Sequence, residues 1–242
     1  MKIMLLLRSL AFEIGRGLLI FVFGILAQLL WVAPVRVRYA FLQNWTGLTL
    51  WWLKVTCGLT YRVHGKEHID TSTPSIIMSH HESAWETIAI QRVFPRQNYV
   101  LKKEILQIPI FGWTMAMLKP IAIDRKAGRQ ALKQLIDQGR TQLLERHDWV
   151  VIFPEGTRVP SGTTGKINKG AAMLAKETGV PVYLVAHNAG QFWPKNSLIR
   201  TAGVIDLYIS PPLDTTNMSV EEINQAARSW YQSHQTPHLT DK

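Results

Sequence analysis

The segment Ser79-His-His-Glu-Ser-Ala-Trp-Glu86 sets an imidazole, His81, five residues before a carboxylate, Glu86. A carboxylate that accepts from one imidazole nitrogen fixes the tautomer and leaves the other nitrogen free to take a proton. Such a pair can turn an alcohol into a nucleophile toward a thioester. On a straight helix five residues advance about 500°, which leaves the two side chains about 140° apart. They meet only if His81 lies in a turn and Glu86 opens the following helix. A pair of this spacing also arises readily by chance, and a helix-capping histidine beside a surface glutamate is the plainer reading of these residues alone. A metal site built from His80, His81 and Glu82 fits poorly, because adjacent side chains point apart and no HExxH follows. No metal is expected.

A second cluster is Phe153-Pro-Glu-Gly-Thr-Arg158. Gly156 allows a ligand to approach the backbone closely, Thr157 offers a hydroxyl, and the planar fork of Arg158 matches a phosphate. Lys166 and the pair Lys169-Gly170 add positive charge at the start of a predicted helix, where free N–H groups favour anions. A third cluster runs from Lys102-Lys103-Glu104 through Ile108-Pro-Ile-Phe-Gly-Trp113 to Ile123-Asp-Arg125. Its lysines suit a phosphate or a coenzyme beside an apolar groove. Each lysine alone is equally well read as a solvated charge.

These clusters need elements to hold them. Ser75–Met78 is an apolar run of strand length that ends at the histidines, and Trp149–Phe153 is another that Pro154 stops. Tyr99–Leu101, Val180–Ala186 and Ile205–Ile209 are further candidate strands. Arg129–Arg146 carries apolar residues at helical spacing, and Asn168–Thr178 reads as a helix closed by Gly179. Ser219 and Glu222 form a capping box that opens a last helix ending near Ser233. Strands alternate with helices, so the expected class is α/β.

The first sixty residues have another character. Gly17–Pro34 carries no charge and only Gln28 as a strongly polar side chain. As a helix this run spans about 27 Å, just under a hydrocarbon core of about 30 Å. A cleaved signal peptide is disfavoured because no small-x-small site follows Leu30. The second run, Tyr39–Leu59, holds Trp45, Trp51, Trp52 and Lys54, residues suited to the headgroup level. Lys2, Arg8 and Arg16 precede the first run, and Arg36 and Arg38 follow it. The basic flanks are therefore symmetric, and two helices dipping into one leaflet are expected in preference to a single span. The division expected is residues 1–60 for the membrane helices and 61–242 for the catalytic domain.

Composition agrees with a membrane surface. Charged residues make up 18% of the 242 residues, below the roughly 25% of ordinary soluble domains, and the net charge is +10. A basic surface suits anionic lipids or phosphorylated substrates, and no nucleic-acid-binding signature accompanies it, so no nucleic-acid partner is expected. The single cysteine, Cys57, lies in a Trp-rich apolar segment and reads as a buried structural thiol.

Taken in order, the blocks His81–Glu86, Lys102–Gly112, Phe153–Arg158 and Val180-Pro-Val182 resemble the glycerolipid acyltransferase family that includes 1-acylglycerol-3-phosphate acyltransferases. The family pattern is H-x4-D, KKE…P…G, FPEGTR and a fourth apolar block containing V-P. The likeness covers residues 60 to 210, and FPEGTR is its most specific part. It implies a single α/β acyltransferase domain with a mixed sheet flanked by helices. It further implies that His81 is the general base, that Glu86 orients it, and that the sn-2 hydroxyl of a lysophosphatidate-like acceptor attacks an acyl thioester. Arg158 would hold the acceptor phosphate, Glu155, Gly156 and Thr157 would shape that loop, and Lys103, Arg125, Lys169 and Gly170 would assist. Acyl-CoA or acyl carrier protein enters as co-substrate, so no resident cofactor is expected. The expected location is the membrane, with the active site facing the cytoplasm. Position 86 departs from the pattern, with Glu where the family usually has Asp. A lipid hydrolase, an acyltransferase for another lyso-lipid and a non-catalytic membrane scaffold are the competing readings.

Overall fold

The structure, a computed structural model, describes residues 2–234. Its centre is a seven-stranded sheet with the order β1-β7-β6-β2-β5-β3-β4. The strands are β1 (Leu59–His64), β2 (Ile76–Ser79), β3 (Gln97–Lys102), β4 (Ile121–Ile123), β5 (Trp149–Ile152), β6 (Val182–His187) and β7 (Gly203–Ile209). Neighbours run parallel except β6 and β7, which are antiparallel, so the sheet is mixed.

Both faces of the sheet are covered, which explains why its central strands are continuously apolar rather than alternating. Successive side chains still divide between two cores. Ile77, Val151, Tyr183 and Val185 enter one core with Trp85, Ile88 and Phe94. Ile76, Met78, Val150, Ile152, Val182 and Leu184 enter the other, beneath α5 (Arg129–Arg140), α6 (Gly170–Thr178) and, after the short α7 (Ala189–Phe192), α8 (Val220–Ser233). The helix predicted to reach Arg146 keeps α-helical bonding only to Arg140 and continues as a wider π-turn over Thr141–Glu145. The capping box forms as read, with the Glu222 amide donating to Ser219 Oγ and the Ser219 amide donating to the Glu222 carboxylate.

Two long helices precede the sheet: α1 (Lys2–Gln28) and α2 (Val35–Cys57). The first starts well before the apolar run expected at Gly17. Arg8, Glu13 and Arg16 are accommodated in the helix by partners. Arg8 Nε donates to the Thr56 carbonyl at 2.5 Å, Arg16 pairs with Glu13 at 2.5 Å, and Glu13 also binds Arg200. The two helices form an antiparallel hairpin. Trp52 Nε1 donates to the Ala11 carbonyl at 3.2 Å, and a Cβ at Gly15 would lie 2.0 Å from the same indole nitrogen. Glycine there allows the helices to close.

The hairpin is not detached from the sheet. Phe12 is fully buried in the first core, edge-on to Trp193 with ring centroids 5.2 Å apart, and Ser9 Oγ accepts from the Arg200 amide. On the opposite side of α1, Ile3, Leu7, Leu10, Ile14, Leu18, Phe21 and Ile25 form an exposed apolar stripe. Exposed Trp51 and Val55 of α2, with Ile108 and Trp113 around α4 (Phe111–Ala116), add to the apolar surface. Such a surface marks an interaction site rather than ordinary solvent exposure. Among the described residues, α1 is the one helix long and apolar enough to cross a bilayer.

Candidate active site

β2 ends at Ser79 and α3 (Glu86–Val93) begins at Glu86, so His81 falls in the connecting turn. The turn solves the geometry that a continuous helix forbids, and His81 Nδ1 lies 2.7 Å from Glu86 Oε1. The same oxygen accepts the amides of Ser83 at 2.8 Å and Glu82 at 3.1 Å. Glu86 is fully buried, and the start of α3 adds a favourable dipole for its charge. Burial opposes that charge, but His187, His81 and the Ser83 amide outweigh it and hold the carboxyl below its ordinary pKa. An ionised Glu86 makes His81 Nδ1 the donor and leaves Nε2 as the accepting nitrogen. The imidazole is also fixed from the side by Phe153, whose ring stacks on it with centroids 4.1 Å apart and planes at 20°.

His81 and Phe153 line a cavity of about 260 Å³. Tyr99, Leu101, Phe111, Met115 and Leu118 give it apolar walls, and Arg125 supplies a cation at its rim. A narrower apolar recess shares Trp45, Phe111, Met115 and Leu118 and extends to Ile20, Phe23 and Gly24 of α1. His81 thus borders a space that shares walls with a recess reaching α1.

The Phe153–Arg158 loop follows β5, which lies next to β2 and parallel to it, so both motifs emerge at the same edge of the sheet. Ligand sites in open α/β sheets form at the carboxyl ends of strands in this way. The Val159 amide donates to the His81 carbonyl at 2.8 Å, which ties the loop to the catalytic turn. Gly156 adopts φ +70°, and its carbonyl accepts from the Arg125 guanidinium. Thr157 is exposed, Arg158 is partly buried, and Lys195 Nζ bonds to the Arg158 carbonyl at 2.9 Å. Lys103 stands one step away, held by Asp124 at 2.5 Å beside Arg125.

Three residues expected at the substrate lie elsewhere. Glu155 points inward, 7% exposed, with Oε1 2.5 Å from His80 Nδ1. One oxygen of its carboxylate is thus held by His80, within the protein rather than at the cavity lined by His81. Lys169 pairs on the surface with Glu221 at 2.7 Å, at the start of α8. Gly170 packs α6 against α5, where an added Cβ would meet Leu135 at 2.7 Å.

The sequence reading also missed partners. His80 Nε2 lies 3.1 Å from Glu82 Oε1, so both of its ring nitrogens face carboxylates. Burial pushes its pKa down, but Glu155 and Glu82 outweigh that and raise it to about 9. His187 accepts the Ala189 amide at Nδ1 and donates from Nε2 to the His80 carbonyl at 3.0 Å. Its Nε2 also lies 3.9 Å from Glu86 Oε2. Lys195 carried no motif signal, and only its fold-level approach to Arg158 reveals it.

A family model described as Acyltransferase matches residues 60–188, more than half of the chain. A 1-acyl-sn-glycerol-3-phosphate acyltransferase from Pseudomonas aeruginosa is 43% identical over 203 residues, which cover 82% of this chain and 78% of that protein. The chain belongs to the acyltransferase family. A human 1-acyl-sn-glycerol-3-phosphate acyltransferase alpha is 28% identical, covering 79% of this chain and 68% of that protein. The fold also matches the crystal structure of a 1-acyl-sn-glycerophosphate acyltransferase from Thermotoga maritima, with TM-score 0.80, 23% identity and coverage of 96% and 95%. The exposed apolar stripe of α1, a helix long and apolar enough to cross a bilayer, is compatible with membrane association.

Proposed function

We propose that the acyltransferase moves an acyl group from a thioester to the sn-2 hydroxyl of 1-acylglycerol-3-phosphate, forming phosphatidic acid. The observation that carries this reading is the His81–Glu86 pair at 2.7 Å, opening onto an apolar cavity beside the loop that bears Arg158. Names of relatives that span most of their own length point to the same acceptor.

In this mechanism His81 Nε2 takes the proton of the hydroxyl as its oxygen attacks the thioester carbon. The tetrahedral intermediate expels the thiolate, which recovers the proton from His81. General-base assistance of this kind contributes about 10² to 10⁴ in rate. Glu86 holds the tautomer and stabilises the imidazolium that forms. Arg158 grips the acceptor phosphate, with Arg125 and Lys103 near donor or acceptor phosphates. The apolar cavity takes the acyl chain. The donor is acyl-CoA or acyl carrier protein, each of which presents its thioester at the end of a long flexible arm.

The burial of Phe12 and the pairing of Glu13 support an in-plane hairpin. A spanning helix would be surrounded by lipid at mid-length, whereas Phe12 is buried in the core and Glu13 is tied to Arg200. In this reading the hairpin lies along one leaflet with its apolar stripe immersed, and the catalytic face meets the water-soluble donor on the cytoplasmic side. Purified enzyme supplied with a labelled acyl thioester and a panel of lyso-acceptors tests the reading. Preferential labelling of lysophosphatidate supports it. Equal or better labelling of lyso-lipids with other headgroups, or release of free fatty acid without acceptor, contradicts it.

A further inference from the structure

We propose that His80 is a positioning residue: a doubly hydrogen-bonded imidazolium that clamps the Phe153–Arg158 loop onto the catalytic turn and so sets His81 against the phosphate-binding side. The proposal rests on the reading of His81 as general base and adds a second histidine with a separate duty.

The ring is 1% exposed, with Glu155 Oε1 2.5 Å from Nδ1 and Glu82 Oε1 3.1 Å from Nε2. A neutral imidazole has one N–H and an ionised carboxylate only accepts, so a partner at each nitrogen calls for the protonated ring. Glu82 extends the connection. Its Oε1 also accepts the Gly162 amide at 3.1 Å, and its Oε2 accepts the Gly190 amide at 3.0 Å. The His80 carbonyl takes His187 Nε2, and its amide donates to the Val185 carbonyl at 2.9 Å. One ring therefore joins the turn after β2, the loop after β5, the Gly162 segment and the turn after β6.

The groups that face the ring are Glu82 from its own turn, Glu155 from the loop, His187 from β6 and Tyr231 from α8. The Tyr231 ring lies 5.2 Å away and the His187 ring 6.0 Å away. The cavity is lined by His81 and Arg125 but not by His80, Glu82 or Glu155. The clamp thus acts on substrate only through what it holds. Loss of its proton leaves one N–H for two carboxylates; when that N–H stays with Glu82, Glu155 loses its donor and the loop beside His81 is freed while the His81–Glu86 bond stays intact.

The test is the pH profile of turnover in mixed detergent–lipid micelles, followed from about pH 6 to about pH 10 with thioester hydrolysis subtracted. Wild-type turnover is expected to fall on its alkaline side near pH 9, where His80 loses its proton. His80→Lys keeps a cation of ordinary pKa about 10.4, so its alkaline limb is expected about one pH unit higher. His80→Gln, checked for folding by circular dichroism, is expected to lose about 10²-fold in kcat with a smaller change in acceptor KM. If His80→Gln does not fold, the two limbs decide. A wild-type profile without an alkaline fall, or a limb unmoved in His80→Lys, overturns the proposal. His81→Ala separates the two assignments. Retained turnover in that variant sinks the general-base reading, whereas an inactive His81→Ala beside an unmoved limb sinks the clamp alone.

Discussion

The Val159 amide donates to the His81 carbonyl at 2.8 Å. That single bond places the general base and the residue following Arg158 side by side at one edge of the sheet. The adjacency also means that a change in the loop reaches the base without passing through substrate.

Arg158 follows directly from this arrangement. Removing its guanidinium should weaken ground-state and transition-state binding of the acceptor alike, so KM rises while kcat changes little. A charge-assisted hydrogen bond contributes about 1.5–3 kcal/mol, which corresponds to a rise of about 10- to 100-fold for Arg158→Ala. Initial rates against lysophosphatidate concentration measure it. An unchanged KM would remove Arg158 from the phosphate site.

Glu86 offers an ordering rather than a single value. Its Oε1 serves the imidazole and two backbone amides at once, and an amide oxygen in its place carries no charge to stabilise the imidazolium. Glu86→Asp keeps the charge and loses one methylene. It should retain at least about 10-fold more turnover than Glu86→Gln, because a neutral amide neither fixes the tautomer nor stabilises the imidazolium. Steady-state kcat of the two variants decides, and the reverse order would contradict the charge-orienting role.

The hairpin gives a stability prediction. A Cβ at Gly15 would lie 2.0 Å from Trp52 Nε1, so Gly15→Val must push α1 and α2 apart or displace the indole. Overpacking of this kind costs about 1–3 kcal/mol. The thermal unfolding midpoint is expected to fall, and Gly17→Val, where nothing lies within 4 Å, serves as the control. Equal midpoints would place the two helices farther apart than described.

Stability should also depend on pH with a defined sign. The folded-state pKa of His80 is raised from 6.5 to about 9, so its contribution is complete below the lower value and is lost as pH rises through the higher one. The difference corresponds to on the order of 3 kcal/mol. Glu86 is shifted the other way, so its contribution is present above the ordinary carboxylate value and disappears as pH falls through its lowered one. Melting temperatures taken across pH should therefore decline from neutrality toward about pH 9 and decline again in acid. A melting temperature that climbs steadily through the alkaline range contradicts the buried imidazolium.

Much of this was legible in the sequence, for identifiable reasons. β2 and β5 read correctly because both faces of each are buried, so every residue from Ile76 to Met78 and from Trp149 to Ile152 is apolar. The capping box at Ser219 is local and needs no tertiary knowledge. What failed depended on distant partners. β1 looks like the tail of an apolar helix, and its pairing strand β7 begins at Gly203. Charges at Arg8, Glu13 and Arg16 argued against an early helix start until Thr56 and Arg200 supplied their partners. Glu155 is the clearest case. A motif glutamate looks the same whether it faces ligand or core, and the residue that decides, His80, lies 75 positions earlier.

The central claim is that His81 removes the acceptor proton. The most direct measurement is the turnover of His81→Ala with a labelled acyl thioester and lysophosphatidate, on protein whose circular dichroism matches the wild type. Phosphatidic acid formation is expected to fall by about 10² to 10⁴-fold with acceptor binding retained. Turnover within a few-fold of wild type would contradict the account.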